Sequence, residues 1–344
     1  MGYEVTIVTS NDTNLNEFEK CESFKILRLP VFNFAKERYP ILNLFKVKKK
    51  LKLIKPYNFD LIILQTRFYP TSIVGGKLAK KYNIPVFLIE HGTAHFSVNN
   101  KILDYLGAIY EHVITFIVKR YVSKYFGVSK AASKWLNHFN IKSSGELYNS
   151  IDTDDREKYK KDILVPNIED KIILSYAGRI IKEKGIINLL NCFVKLNKHY
   201  DNLQLIIAGD GDLKDSLEKN SNYKENVLFT GKLDFSEVMK LYNQTDIFIH
   251  PSMFPEGLPT SILEAGLMTC SVVATARGGT IEIIPSSDYG LIVEENEAAL
   301  YEMTTYLLDN KDLIIKLGKN LENRVKNEFS WENTAKKLIE LIKK

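Results

Sequence analysis

Cysteine is scarce in this chain. Cys21, Cys192 and Cys270 are odd in number and far apart, which excludes a disulfide framework and a cysteine-built metal centre and favours a reducing compartment. No apolar run reaches the roughly 20 residues that a membrane-spanning helix needs. The nearest approach, "YLGAIYEHVITFIVKRYV" at 105–122, reads as a core helix. The opening "MGYEVTIVTS" has no basic stretch followed by an apolar run and a small-residue cleavage site, so no signal peptide is expected and a cytoplasmic location follows. Neither sign of charge dominates: 47 basic against 42 acidic residues give +5, a balance that favours an acidic ligand or an anionic surface. There is no aromatic stacking series and no nucleic-acid module, so nucleic acid is not an expected partner. Walker loops and dinucleotide fingerprints are also missing. His95, His112, His138, His199 and His250 show no shared metal spacing. Asp152 and Asp154 in "DTDD" have a metal-like spacing, but they lie in a polar stretch away from any strand end. No metal and no cofactor are expected.

With 344 residues, 45% of them hydrophobic and 26% charged, the chain is long enough for two domains that each bury a core. Compact apolar runs bounded by polar turns occur at 3–10, 24–30, 59–66, 84–92 and 125–129, with a helix over 71–82. They read as buried strands of a parallel sheet. A polar, charged stretch at 146–170 interrupts the pattern. A second series follows at 171–179, 203–211, 226–233, 246–252, 271–279 and 289–295, with spacers long enough for crossover helices. From about 297 onward the composition is helical, with no strand candidate. The reading is α/β, doubly wound twice over.

Open parallel sheets bind ligands beyond the carboxyl ends of their strands, and several suspicious loops fall there. "AGRIIKEKG" sets Arg179 after a strand and Lys182 and Lys184 in the next turn, able to clamp a diphosphate, although lysines at a solvated helix start are equally ordinary. In "AGDGD", Gly209 and Gly211 allow either a ligand's approach or a tight turn. His91 ends a strand in "EHGTAHF", with Gly92 permitting a sharp exit, and can donate to a sugar hydroxyl or phosphate, or serve only as a turn residue at the strand end. The stretch "FPEGLPTSILEAG" (254–266) places Glu256 and Glu264 on either side of an uncharged helix start. Pro259 suits the first turn, Thr260 and Ser261 can satisfy early amides, and the remaining N–H groups can hold a phosphate while the two carboxylates accept from hydroxyls on both sides. An ordinary surface pair around a capped helix is the plain alternative.

Together, His91–Gly92, "VS" (128–129), Asn149 with Asp152, "AGR..KEKG" (177–185), "AGDG" (208–211), "TG" (230–231), "HPS" (250–252), "EGLPTSILEA" (256–265), "GG..E" (278–282) and "YGLIV" (289–293) resemble the retaining, nucleotide-sugar-dependent glycosyltransferases of group 1, family GT4. The resemblance covers nearly the whole chain, and the Glu256 to Glu264 pair matches the family's E-x7-E signature. It implies the GT-B fold: two Rossmann-like, doubly wound domains facing across a cleft. The implied division is an acceptor-side domain at 1–150, a linker at 151–170, a nucleotide-sugar domain at 171–324, and a C-terminal helix at 325–344 that crosses back.

By the same resemblance, Glu264 binds the ribose hydroxyls and Glu256 lies by the transferred sugar. Gly257, Leu258, Pro259, Thr260 and Ser261 present amides to the sugar and distal phosphate. Gly178, Arg179, Lys184 and Gly209 complete the donor site, with Arg179 and Lys184 neutralising the diphosphate. His91 meets the donor sugar, and His91, Arg179, Lys184 and Glu256 form the catalytic set. The implied reaction is metal-independent transfer, with retention, from a nucleoside-diphosphate sugar to a glycan or lipid-linked acceptor in polysaccharide, lipopolysaccharide or glycoconjugate synthesis. A phosphorylase or epimerase of the same fold, or a donor-binding subunit without catalysis, is the alternative.

One departure is notable. Family members begin with a strand, a glycine-bearing loop and a helix ahead of the segment resembling "GYEVTIVTS", and Ser150 stands where glycine is usual. The expectation is an N-domain with unpaired strand edges, from either a start codon placed too late or a genuinely shortened protein. Segment 41–56 interleaves apolar residues with Lys46, Lys48, Lys49, Lys50, Lys52 and Lys55, and is expected to lie peripherally on an anionic membrane.

Overall fold

The computed structural model describes every residue except 1, 14, 35–38, 55–57, 99, 167, 169 and 344, and also omits the side chains of 33, 34, 39–41 and 44. The chain divides into two compact units, residues 1–126 with 135–145 and residues 127–134 with 146–344. The division expected at 150 is therefore displaced. Residues 127–134, drawn into the first domain above, belong with the second unit, as do the polar stretch 151–170 and the final helix. Gln244 shows how the polar stretch is held: its Oε1 accepts from the amides of Leu164 and Val165, at 2.6 and 2.9 Å.

In the N-terminal unit the chain forms β1 (Val5–Asn11), β2 (Phe18–Lys20), β3 (Phe24–Phe34), β4 (Tyr39–Leu42), α1 (Leu44–Leu51), β5 (Ile62–Gln65), α2 (Pro70–Tyr82), β6 (Val86–Glu90), α3 (Lys101–Val118) and β7 (Lys124–Gly127). Instead of one sheet there are two. β3 pairs in parallel with β1 and antiparallel with β2 and β4, while β5, β6 and β7 form a separate three-stranded sheet. Among the described residues β1 pairs only with β3 and β5 only with β6, so each sheet ends in an unpaired edge. On β1, Val5 and Ile7 are about half exposed, at 50% and 44%. Helix α2 serves both sheets, with Val74 and Leu78 packed against the β3 side and Ile73 and Ala79 against the β5–β6 side.

Two readings of this unit change. The segment 105–122, taken as a core helix, is mostly α3, whose buried residues are Gly107, Glu111, Thr115 and Val118. Its large apolar side chains, among them Ile102, Leu106, Ile109, Val113 and Phe116, are exposed. The inward face is small and polar because Gly107 lies against the Phe96 ring and Glu111 pairs with the buried Arg67. Within 41–56, Val47, Leu51 and Ile54 are core residues, leaving Phe45, Leu53 and the lysines 46, 48, 49 and 52 exposed. That segment therefore offers charge with little free apolar surface. Ile41 and Leu44 by side chain, and Lys55 altogether, lie outside the described residues. No helix among the described residues is long and apolar enough to cross a membrane.

The C-terminal unit opens with α4 (Lys130–Trp135, to residue 134) and α5 (Asp155–Tyr159). It continues through β8 (Ile172–Ala177), α6 (Ile186–Leu196), β9 (Leu203–Ala208), α7 (Lys214–Lys219), β10 (Val227–Gly231), α8 (Phe235–Asn243), β11 (Ile247–His250), α9 (Thr260–Leu267), β12 (Ser271–Thr275), α10 (Thr280–Ile283) and β13 (Leu291–Val293). It ends in α11 (Glu297–Leu308), α12 (Lys311–Glu328) and α13 (Trp331–Lys343). The six strands lie parallel in the order β10-β9-β8-β11-β12-β13, a doubly wound sheet whose order reverses beside β8. Leu174, Tyr176, Leu205, Ile207, Ile249 and Val273 anchor the core on one face under α6 and α11. Ile173, Ile206, Ala208 and Leu241 fill the other. At the turns after β8 and β11 the chain leaves the sheet's reversal point, where such folds bind ligands.

Candidate active site

The site is built where β8 and β11 end. After β8, Gly178 and Arg179 lead into a 3-10 turn at Lys182–Lys184 and then into α6. After β11, the loop from Pro251 to Pro259 carries Phe254 and Glu256 and ends at the start of α9. The Arg179 guanidinium carbon lies 5.4 Å, and Lys184 Nζ 5.3 Å, from the centre of the Phe254 ring. One aromatic ring thus collects both cations. Lys184 Nζ also pairs with Glu256 Oε1, and the same oxygen accepts from Ser252 Oγ at 2.7 Å.

His250 Nε2 stands 3.5 Å from Glu256 Oε1, close enough for charge interaction and at the limit for a hydrogen bond. Burial alone would push the Glu256 carboxyl up, but His250 and Lys184 outweigh it and hold the group down at about 2. Glu256 is therefore a fixed anion that orients Lys184. This coupling is invisible in the sequence, where the two residues are 72 apart.

The start of α9 departs from expectation in a useful way. Pro259 is its N-cap with φ −71°, and no side chain caps it. The Ile262 amide donates to the Pro259 carbonyl at 3.2 Å, and with no side-chain cap the Thr260 and Ser261 amides stand at the positive end of the helix. Leu258 is buried and pins the loop. The Gly257 carbonyl accepts from Ser129 Oγ at 2.8 Å and from the Gly279 amide at 3.0 Å. Gly278, with φ +53°, has no room for a side chain because a Cβ would sit 1.6 Å from Glu256 O. Gly209, with φ +139°, is constrained in the same way, a Cβ there falling 1.8 Å from Gly178 O. Loop-on-loop packing thus explains glycine at 209.

Glu264 sits in the second turn of α9. Burial first, and the charge of Asp155 second, push its carboxyl up to about 7. It does not share the contacts that unite Arg179, Lys184 and Glu256.

His91 belongs to the N-terminal unit. Its Nε2 lies 2.7 Å from Gln65 Oε1, and desolvation lowers its pKa against the raising effect of Glu90, so the ring is neutral near pH 7. Behind it, Arg67 is held between Glu90, at 2.7 Å, and Glu111, all three buried. Glu90 Oε1 accepts the Gly92 amide at 2.9 Å and Glu111 Oε1 the Phe96 amide at 2.9 Å. This triad fixes the exit of the chain from β6 and hence the placement of His91.

Sequence reasoning missed this triad, because residues 67, 90 and 111 share no motif. It also left Glu282 of "GG..E" without a role. Glu282 accepts from the amides of Lys130 and Ala131, at 2.9 and 3.2 Å, and from Tyr148 OH at 3.1 Å, anchoring the start of α4 in the C-terminal unit.

The model of the family described as glycosyl transferases group 1 matches residues 155–343, and that of glycosyltransferase family 4 matches residues 1–155. An uncharacterised glycosyltransferase, MJ1069, of Methanocaldococcus jannaschii is 26% identical over 100% of this chain and 90% of its own length. The alpha-monoglucosyldiacylglycerol synthase of Streptococcus pneumoniae is 27% identical over 73% of this chain and 59% of its own. Among solved structures, Anabaena HepE in complex with UDP-glucose superposes with a TM-score of 0.72 at 16% identity, covering 92% of this chain and 85% of that one.

Proposed function

Because the chain belongs to the glycosyl transferases group 1 family, we propose that its C-terminal unit holds a nucleotide sugar through Arg179 and Lys184 at the diphosphate, Glu264 at the ribose hydroxyls and Glu256 beside the transferred sugar. The protein is a retaining glycosyltransferase of the GT-B fold, with two Rossmann-like domains, that uses a nucleoside-diphosphate sugar as donor.

The observation that carries the site assignment is the gathering of Arg179 and Lys184 at the Phe254 ring, beside the uncapped start of α9. Breaking the sugar–phosphate bond leaves charge on the diphosphate. Fixed cations and free helix amides stabilise that charge without reorganising. Gly178 and the Gly257-to-Ser261 backbone let the ligand approach, and by the resemblance His91 meets the transferred sugar, its neutral ring offering Nδ1 as an acceptor because Gln65 Oε1 takes the Nε2–H.

Arg179→Ala and Lys184→Ala are each expected to weaken donor binding by about 1.5–3 kcal/mol, the worth of a charge-assisted contact. Calorimetry on folded variants measures it, and unchanged affinity in both sinks the assignment. For His91→Ala the expected loss lies in turnover more than in donor affinity.

The acceptor is proposed to be a glycan or lipid-linked molecule met at a membrane surface, from the cytoplasmic side. A lipid acceptor is supported by the synthase among the relatives. Membrane contact is supported less by 41–56 than by α3, whose exposed apolar face ends in exposed Lys101, Lys119 and Arg120. An apolar stripe flanked by basic residues suits an anionic interface. Sedimentation should show the protein pelleting with anionic vesicles, and Ile109→Ser with Phe116→Ser should release it. A wild-type chain that stays in the supernatant with every vesicle retires the membrane contact.

A further inference from the structure

Three histidines that share no spacing in the chain meet in the N-terminal unit. His95 comes from the loop after β6, His112 from α3, and His138 from the 3-10 turn at Leu136–Phe139. One ring nitrogen from each lies within 4.8 Å of the others. The ring centres are 5.4 Å apart for His95 and His112, 5.0 Å for His95 and His138, and 5.1 Å for His112 and His138, a nearly equilateral triangle. His95 Nε2 and His138 Nε2 are 3.1 Å apart.

We propose that His95, His112 and His138 form a binding site for one divalent transition-metal ion of the zinc class. Metal–imidazole bonds of about 2.0–2.1 Å at a tetrahedral centre put ligand nitrogens about 3.3–3.4 Å apart, close to the Nε2 pair here. The set of neighbours is also that of a metal centre. His95 Nδ1 lies 3.1 Å from Glu111 Oε2 without making a hydrogen bond, so the carboxylate faces the ring's other nitrogen while Nε2 faces His138. Metal-bound histidines are oriented by such an outer carboxylate. Glu111 is itself fixed by buried Arg67. Trp135 stacks on the His138 ring at 4.6 Å and 6°, restricting its rotation.

Access and selectivity follow from the surroundings. His112 and His138 are exposed and line a surface pocket of about 450 Å³, which leaves the ion a path in and a fourth position for water or an added ligand. Three imidazoles select zinc, cobalt, nickel or copper over magnesium and calcium, which prefer oxygen. The ion would tie the β6–α3 loop, α3 and the 136–139 turn together, next to the triad that positions His91. Its ligands lie in the N-terminal unit, whereas Arg179, Lys184 and Glu264 lie in the C-terminal unit. The site therefore stands independently of the donor reading, which requires no metal.

The test uses the full chain, freed of any affinity tag and stripped with chelator, titrated with zinc chloride by calorimetry and with cobalt chloride by visible absorption. The expected result is one ion per chain, with cobalt bands of an imidazole-bound, low-coordinate centre and a raised melting temperature with zinc. His112→Gln and His138→Asn should each weaken zinc binding by about tenfold or more, while His199→Ala leaves it unchanged. Circular dichroism of the metal-free variants establishes that they fold, and affinity for a nucleotide sugar should be the same in both. Absence of stoichiometric zinc or cobalt binding by the folded wild-type chain overturns the site. So does binding that survives unaltered in both folded variants.

Discussion

Glu264→Gln is expected to make the protein more stable above neutral pH while weakening its hold on the donor. The Glu264 carboxyl rises from its ordinary 4.5 to about 7, chiefly by burial and then by Asp155; Tyr242 is a further polar neighbour. The sign follows from proton counting. Between those two values the folded chain keeps a proton that the unfolded chain has released, so stability falls as pH rises through the window. At about 1.4 kcal/mol per unit the full loss approaches roughly 3 kcal/mol above pH 7. Glutamine carries no such cost.

Urea unfolding at pH 5 and pH 8 should show the wild type losing stability between them and the variant losing less. Donor binding should behave oppositely. On the proposed reading ribose hydroxyls bind the ionised carboxylate, so wild-type affinity should drop about tenfold per unit below pH 7, and the variant should be weak and flat with pH. Equal unfolding midpoints for the two proteins at pH 8 would contradict the buried, strained carboxylate.

Arg67→Met should be the most damaging of these substitutions to the fold. It leaves Glu90 and Glu111, both buried, without their shared counter-charge, and breaking such a cluster costs about 3–5 kcal/mol. The cation also lies 3.8 Å from the centre of the Phe139 ring, so the packing of the 136–139 turn should loosen with it. Because Glu90 holds the Gly92 amide and Glu111 the Phe96 amide, the damage should spread to His91. Thermal melting and hydrogen exchange of the amides at 92 and 96 measure both effects. If Arg67→Met together with Glu90→Gln and Glu111→Gln recovers stability, the loss is assigned to the uncompensated charge; a melting temperature unchanged in Arg67→Met alone would disprove the cluster's role.

The strands of the C-terminal unit were legible because each is a short apolar run between polar turns, a local pattern that burial on both sheet faces imposes, whereas their order in the sheet came from the structure. The expected runs at 171–179, 203–211, 226–233, 246–252, 271–279 and 289–295 each contain one of β8 to β13. In the N-terminal unit the expected runs contain β1, β3, β5, β6 and β7 or most of them, but β2 and β4 were missed. β2 is three residues long, with all three on the exposed side and Phe18 as its one apolar residue, too little for an alternating pattern. The placing of Arg179, Lys184, Glu256 and Glu264 near strand ends and a helix start was likewise readable from adjacent residues.

Sequence alone thus determined what is local: which runs become strands, where α9 begins, and which charged residues flank the turns, since short-range sterics and hydrophobic periodicity act between neighbours in the chain. Tertiary structure decided what depends on distant partners. It paired Lys184 with Glu256, made an anion of one glutamate and a near-neutral acid of the other, and turned the apolar face of α3 outward. It also split the first sheet in two and drew three unrelated histidines into one triangle. Charge, desolvation and coordination depend on separation in space, and folding brings residues within a few ångströms whatever their separation along the chain.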